Sequence, residues 1–150
     1  MTQAVRTPTI RTIGYERLGF AAFIDAMQDA GIETVIDVRE LPNSRRAGFS
    51  KGNLKAGLAR VGIDYVHLKA LGTPKAGRDA SKRGDWENFW PIVDDALSRP
   101  EAGLALEQAA VIAKAKRACL LCLEHDWRVC HRVRVCDLLA ARHGLVAEHI

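Results

Sequence analysis

The chain has 150 residues, of which 48% are hydrophobic and 27% are charged, the composition of an ordinary globular domain. Its 22 lysines and arginines exceed its 18 aspartates and glutamates, which gives a formal net charge of +4. These values exclude a disordered tail, a collagen-like fibre and a disulfide-stabilised miniprotein. A chain of this length buries its own core, so we expect a single domain over residues 1–150.

No apolar run approaches the roughly 18–20 residues that a membrane-spanning helix needs, so we expect no membrane partner. Residues 1–12 carry Arg6 and Arg11 but no apolar stretch, which is unlike a secretory signal. We therefore expect a cytoplasmic protein whose four cysteines are reduced.

The first predicted elements are a strand, a helix and a second strand. Residues 9–14 (TIRTIG) open the chain as a strand. Apolar residues at helical spacing predict an amphipathic helix over residues 18–30, and Gly31 is its predicted C-cap. Residues 32–38 (IETVIDV) follow as a buried strand.

This helix–glycine–strand order returns twice. The second unit is a helix over 54–61, Gly62 and a strand over 63–68; the third is a helix over 135–139, Gly144 and a strand over 145–150. Three such units predict crossover connections, and hence a parallel sheet with helices on both faces.

The middle of the chain predicts a loop, two helices and the central strand. Residues 71–84 are polar and glycine-rich, so we predict a loop there that acts as a mobile lid. Residues 86–97 form an apolar stripe with Asp85 as N-cap, and 104–116 form a second helix. Residues 118–124 are the most apolar strand and so the central one. The sequence therefore predicts a three-layer α/β/α domain with a mostly parallel sheet of about five strands.

Polar side chains follow the predicted strands, at the edge where ligands bind in open parallel sheets. These candidate ligand-binding residues are Gly14, Tyr15, Arg39, Ser44, Arg45, Arg46, Glu124 and Arg132. Guanidinium groups suit phosphate or carboxylate, so we expect them to share one anion-binding crevice. Asp37 beside Arg39 favours a structural ion pair at that position.

Cys130, His131 and Arg132 lie at the predicted start of the last helix. A helix N-terminus attracts anions and lowers the pKa of a nearby thiol, so Cys130 is a candidate nucleophile. His131 or His67 would then carry protons. The alternative is that Cys130 only packs the helix start.

The other cysteines are weaker candidates. Cys119 and Cys122 have CxxC spacing, but residues three apart on a strand point to opposite faces, so we expect both in the core. Cys136 lies on the last predicted helix, where it would pack. Metal-ligating atoms are also present between Glu124 and His131, but their spacing matches no standard zinc pattern, and we assign neither a metal nor a cofactor.

Four segments together resemble a known family. They are TIGYE at residues 12–16, IDVRELPNSRRAGFSK at 36–51, YVHLKALG at 65–72 and LLCLEHDWRVCHR at 120–132. In their order and spacing they resemble the domain of unknown function 488 family over nearly the whole chain. The resemblance implies an α/β domain in which these motifs cluster, and it supplies no reaction.

The family motifs carry over to particular positions of this chain. By resemblance these are Gly14, Asp37, Arg39, Pro42, Ser44, Arg45, Arg46, Phe49, His67, Gly72, Cys122, Glu124, Cys130, His131 and Arg132. One departure is the loop before Cys130, where many members have a proline and this chain has Asp126, Trp127 and Arg128.

Three functions are compatible with these observations. The leading one is binding of a phosphate-bearing ligand, a nucleotide or a nucleic-acid end, in the arginine-rich crevice beside Cys130. The second is a non-catalytic nucleic-acid-binding module that uses the basic loops. The third is a metal-dependent hydrolase that uses the region from Glu124 to His131.

Overall fold

A computed structural model describes residues 7–150, which fold around one five-stranded parallel sheet. Its strands are β1 (Thr9–Gly14), β2 (Thr34–Asp37), β3 (Asp64–His67), β4 (Ala118–Cys122) and β5 (Val146–His149). The strand order is β3-β2-β4-β1-β5, and all four neighbouring pairs are parallel. The prediction that the most apolar strand is central is confirmed, because β4 lies in the middle and all of its residues are buried.

Helices cover both faces of the sheet. They are α1 (Phe20–Asp29), α2 (Lys51–Ala59), α3 (Lys75–Lys82), α4 (Trp86–Leu97), α5 (Pro100–Ala115) and α6 (Arg132–His143). Phe23 of α1 and Leu54 of α2 share one apolar core, whereas Phe89, Leu106 and Val135 of α4, α5 and α6 share the other. The predicted three-layer α/β/α fold is therefore confirmed.

The predicted glycine C-cap and the predicted aspartate N-cap are both found in the structure. Gly144 follows α6 with φ of 70°, a left-handed conformation that glycine adopts without a steric penalty. Asp85 precedes α4, and its carboxylate accepts a hydrogen bond from the backbone N–H of Asn88. Helix α5 begins at Pro100, ahead of the predicted start at residue 104. Proline is favoured in the first turn of a helix, because a backbone N–H there would have no partner within the helix.

The prediction of a loop over residues 71–84 is wrong for Lys75–Lys82, which forms α3. Glycine is a common loop signal, but Gly77 is buried on the face of α3 that packs toward α4. A Cβ atom there would lie 2.5 Å from the side chain of Thr73 and 3.1 Å from that of Ile92. Close packing against a neighbouring helix thus explains the glycine, and this tertiary contact outweighs its low helix propensity.

The carboxyl ends of β1 and β4 lie unusually close together. Beyond the strands, the backbone N–H of Tyr15 donates to the carbonyl of Cys122, and that of Glu16 donates to Leu123. A Cβ on Gly14 would lie 1.7 Å from the carbonyl oxygen of Glu124. Only a residue without a side chain allows this approach, which holds the segment after β4 against β1. Within residues 7–150, no helix is both long enough and apolar enough to cross a membrane.

Candidate functional site

A cavity of about 410 Å³ opens at the carboxyl ends of β1, β2 and β4. Tyr15 and Arg39 line it after β1 and β2, and Glu124 lines it after β4. His131, at the start of α6, and residues of α3 complete the wall. The cavity lies at the sheet edge where ligands bind in open parallel sheets, and it brings together four of the predicted site residues.

Two thiols and one imidazole form a compact cluster on this wall. The Nδ1 atom of His131 lies 3.6 Å from the sulfur of Cys122 and 3.8 Å from that of Cys130. The other ring nitrogen, Nε2, lies 2.8 Å from the carbonyl oxygen of Val38. The Cys122 thiol also donates to a carboxylate oxygen of Glu124 at 3.4 Å. All three residues of the Cys122–Cys130–His131 cluster are buried.

The cluster divides its protons unequally between the two thiols. The pKa of Cys122 is raised, first by its interaction with the neighbouring Cys130 sulfur and then by burial. Burial acts to raise the pKa of Cys130 as well, but the neighbouring Cys122 thiol and the charge of His131 bring it well below its ordinary value. Burial acts to lower the pKa of His131, yet the negative charge of Cys130 raises it. The arrangement therefore favours a Cys130 thiolate beside an imidazolium.

Glu124 shares this environment. Its pKa is raised to about 7, first by burial and then by the negative charge on Cys130. A carboxyl group that titrates near neutral pH can both donate and accept a proton, which is the behaviour of general acids and bases.

The two cysteines differ in their access to the cavity. Cys122 lines the cavity, whereas Cys130 is fully buried and is not part of the lining. Cys119 lies on the opposite face of β4, in the core beneath α1 and α2, as the strand alternation predicts. The prediction that Cys122 lies in the core agrees with its burial, but it does not identify Cys122 as a member of the cluster. The cluster forms because residues 123–131 turn back over the end of β4, and this turn has no signal in the CxxC spacing.

Arg39 forms the ion pair that the sequence favours. Its Nε and Nη2 atoms donate to the two carboxylate oxygens of Asp37, at 2.9 and 2.7 Å. Nη1 donates to the hydroxyl of Tyr15 and to the carbonyl of Phe49. Tyr65 adds a hydrogen bond of 2.6 Å from its hydroxyl to Asp37. Most donors of this guanidinium are therefore used inside the fold, although the residue also lines the cavity.

Arg132 likewise serves the fold. It is fully buried and donates to Thr12 and to the backbone carbonyls of Glu124 and His125. These bonds hold the segment between β4 and α6 in place. The guanidinium does not line the cavity, so the structure does not bring it to the predicted crevice.

Four other candidates also lie away from the cavity lining. Arg45 and Arg46 are exposed between β2 and α2, where Arg46 donates to the carbonyl of Leu18. The Ser44 hydroxyl accepts from the backbone N–H of Arg46 and stabilises that turn. His67 hydrogen-bonds to the carbonyl of Arg39 at 2.7 Å.

The sequence does not identify three residues of the cavity wall, because all three lie within the predicted loop. Arg78 and Lys82 extend from α3, and Thr73 precedes it. Thr73 is 6% exposed, and its hydroxyl has no hydrogen-bond partner among residues 7–150. The four-residue spacing of Arg78 and Lys82, which puts both on one helix face, is the signal that identifies them once α3 is recognised.

Comparison with known proteins identifies one family. The family model described as "Domain of unknown function DUF488" matches residues 19–139, which confirms the resemblance seen in the four sequence segments. The search of curated proteins and the search of solved structures each found no match.

Proposed function

The chain belongs to the DUF488 family, and we propose that it binds a small phosphate-bearing molecule, such as a nucleotide, in the cavity between α3 and the sheet edge. A volume of about 410 Å³ lies within the roughly 300–1,000 Å³ typical of small-molecule sites. The family description specifies no reaction, so the support for the proposal comes from the side chains of the wall.

The buried hydroxyl of Thr73 carries the proposal. A buried polar group without a partner costs about 1–3 kcal/mol, and nearly all such groups in folded proteins are satisfied. Thr73 lines the cavity, and its unpaired hydroxyl is buried just behind the surface of that wall. A rotation of the Thr73 side chain that turned the hydroxyl toward the cavity would let an oxygen of a bound phosphate accept its proton and remove that cost.

Two cations, Arg78 and Lys82, line the same cavity as Thr73. Arg78 donates from Nη1 to the Glu40 carboxylate and to the carbonyl of Thr73, both at 2.8 Å. Lys82 is exposed and takes no part in the ion pairs found among residues 7–150. Its ammonium group therefore remains available for an anion. These α3 cations take the role that the sequence assigned to Arg45, Arg46 and Arg132.

The wall opposite α3 carries the reactive groups. Cys122, Glu124 and His131 face the same cavity, so a ligand anchored by phosphate at α3 would extend toward a thiol, a carboxyl group and an imidazole. Cys130 as nucleophile stays a prediction, and Cys122 is the sulfur that a ligand would meet first. A nucleic-acid-binding role for the exposed Arg45 and Arg46 stays a prediction too, as does the cytoplasmic location.

Titration calorimetry with AMP, inorganic phosphate and adenosine tests the proposal. We expect AMP and phosphate to compete for one site and adenosine to bind more weakly, because the anion supplies much of the affinity. Lys82→Ala should weaken AMP binding about tenfold, the effect of losing one charge-assisted hydrogen bond. Lys75→Ala is the matched control, since Lys75 is an exposed lysine of the same helix outside the cavity lining.

Two results would contradict this function. One is the failure of both AMP and phosphate to bind the folded protein at millimolar concentration. The other is an equal loss of affinity in Lys82→Ala and Lys75→Ala, which would mean that the anion senses only the overall charge of α3.

A further inference from the structure

We propose that Cys122, Cys130 and His131 form a binding site for a thiophilic divalent metal ion, best matched by Zn²⁺, whose open coordination position faces the cavity. Metal binding here does not require the ligand proposed above, because none of the three side chains belongs to the α3 wall, although Cys122 and His131 face the same cavity.

The spacing of the three ligand atoms fits a tetrahedral ion. A zinc ion with Zn–S bonds of about 2.3 Å and Zn–N bonds of about 2.0 Å separates its tetrahedral ligand atoms by about 3.5–3.8 Å. The two sulfur–nitrogen distances of the cluster are 3.6 and 3.8 Å, and all three ligand atoms lie within 4.8 Å of one another. A metal ion therefore requires only a small adjustment of the sulfur positions.

The imidazole of His131 is oriented as a ligand. Val38 offers a carbonyl oxygen, which only accepts, so the Nε2 atom of His131 carries a proton and donates it to that carbonyl. Nδ1 is the atom that faces the two sulfurs, and a metal ion bound there takes the place of the proton that Nδ1 carries in the metal-free imidazolium. A backbone carbonyl that fixes the tautomer and the ring orientation in this way is a regular feature of metal-binding histidines.

The fourth position would be open to the cavity. Cys130 lies behind the wall, whereas Cys122 and His131 line the cavity, so the side of the cluster away from Cys130 faces the space that a ligand would occupy. Glu124 also lines the cavity, with a carboxylate oxygen 3.4 Å from the Cys122 sulfur. Three protein ligands and a fourth position left for water or substrate is the pattern of catalytic rather than structural zinc sites.

The donor set selects the class of metal. Two thiolates and one imidazole favour zinc and other borderline or soft ions over Mg²⁺, Ca²⁺ and Mn²⁺, which prefer oxygen ligands. Binding deprotonates both thiols, so one doubly charged ion is neutralised by two sulfurs and the buried site gains no net charge.

The standard zinc patterns do not describe this site. The ligand spacing C-x7-C-H combines a strand residue with two consecutive residues at a helix start. The backbone turn between β4 and α6, held by the buried Arg132, brings the ligands together. Cys119, which completes the CxxC in the sequence, points to the opposite face of the sheet.

Cobalt substitution of the reduced, metal-free, untagged full-length protein tests the site. We expect one Co²⁺ per chain, with thiolate-to-cobalt charge-transfer absorption and the intense visible bands of a tetrahedral site. Zn²⁺ should displace the cobalt with loss of these bands and raise the melting temperature, whereas Mg²⁺ should do neither. Neither AMP nor phosphate is present, so this result does not depend on the proposed ligand.

Cysteine variants identify the ligands. Cys122→Ala and Cys130→Ala should each weaken Zn²⁺ binding at least about 100-fold, since loss of even an outer-shell partner costs 10- to 100-fold. The matched controls are Cys119→Ala and Cys136→Ala, which remove buried thiols outside the cluster and should bind Zn²⁺ like the wild type.

The proposal is overturned if the folded wild-type protein, fully reduced, gives no thiolate charge-transfer band with Co²⁺. It is also overturned if Cys122→Ala retains the band, or if the control variants lose it to the same extent. Because the first criterion uses the wild-type protein, it holds even where a cluster variant fails to fold.

Discussion

Replacing Asp37 with alanine is expected to lower the free energy of unfolding by about 3–5 kcal/mol. Asp37 is fully buried, and its carboxylate accepts hydrogen bonds from Arg39 and from the hydroxyl of Tyr65. Without the carboxylate, the guanidinium of Arg39 would stay buried without a counter-charge, and the Tyr65 hydroxyl would lose its acceptor. The loss is large because the charge left behind is desolvated, rather than because the pair is intrinsically strong.

Urea denaturation followed by circular dichroism measures this effect. Asp95→Ala is the control, because Asp95 forms an exposed ion pair with Arg99 on the protein surface. Exposed pairs contribute about 0–1 kcal/mol, so this variant should unfold almost like the wild type. Equal destabilisation by the two substitutions would show that burial does not set the strength of the Asp37–Arg39 pair.

Replacing Gly14 with alanine is expected to destabilise the fold by about 3 kcal/mol or more. The added Cβ would meet the carbonyl oxygen and carbon of Glu124 at 1.7 and 2.4 Å and the nitrogen of His125 at 2.9 Å. All three are backbone atoms, so no side-chain rotation relieves the clash. The segment after β4 must move instead, and with it the carbonyl of Glu124 that accepts from the buried Arg132.

The matched control for Gly14 is Gly103→Ala in α5. A Cβ on Gly103 meets nothing within 4 Å, and alanine in a helix interior is favoured over glycine by about 0.5–1 kcal/mol. Urea denaturation should therefore give opposite signs for the two substitutions. A Gly14→Ala protein as stable as the wild type would mean that the ends of β1 and β4 separate easily.

The pattern of residues predicted the sheet and most helices, because the signals for these elements lie within short segments of the sequence. The apolar run of β4 identified the central strand, and the glycines after α1, α2 and α6 marked helix ends. Helix α3 was missed because its stability comes from Gly77 packing against a helix that follows later in the chain. Local composition describes propensity, whereas this contact depends on how two elements meet.

The sequence predicted where in the fold the candidate site lies, but not which side chains face the cavity. The rule that ligands bind at the carboxyl ends of parallel strands located the crevice and its residues Tyr15, Arg39, Glu124 and His131. It did not distinguish side chains that face the cavity from those used by the fold. In the sequence, Arg39 and Arg132 cannot be told apart from arginines whose guanidinium groups are free. In the structure, their donors are bound by Asp37, Thr12 and backbone carbonyls.

The hydrogen bond from His131 to Val38 joins the imidazole to the strand that leads into the pocket. The backbone N–H of Val38 donates to Leu121 of β4, and Arg39, the next residue, lines the cavity. We expect a molecule that shifts the backbone at Arg39 to shift the ring beside the two sulfurs as well. The NMR signals of the His131 ring are therefore expected to report pocket occupancy, which suits the screening of compound libraries when the natural ligand has no chromophore.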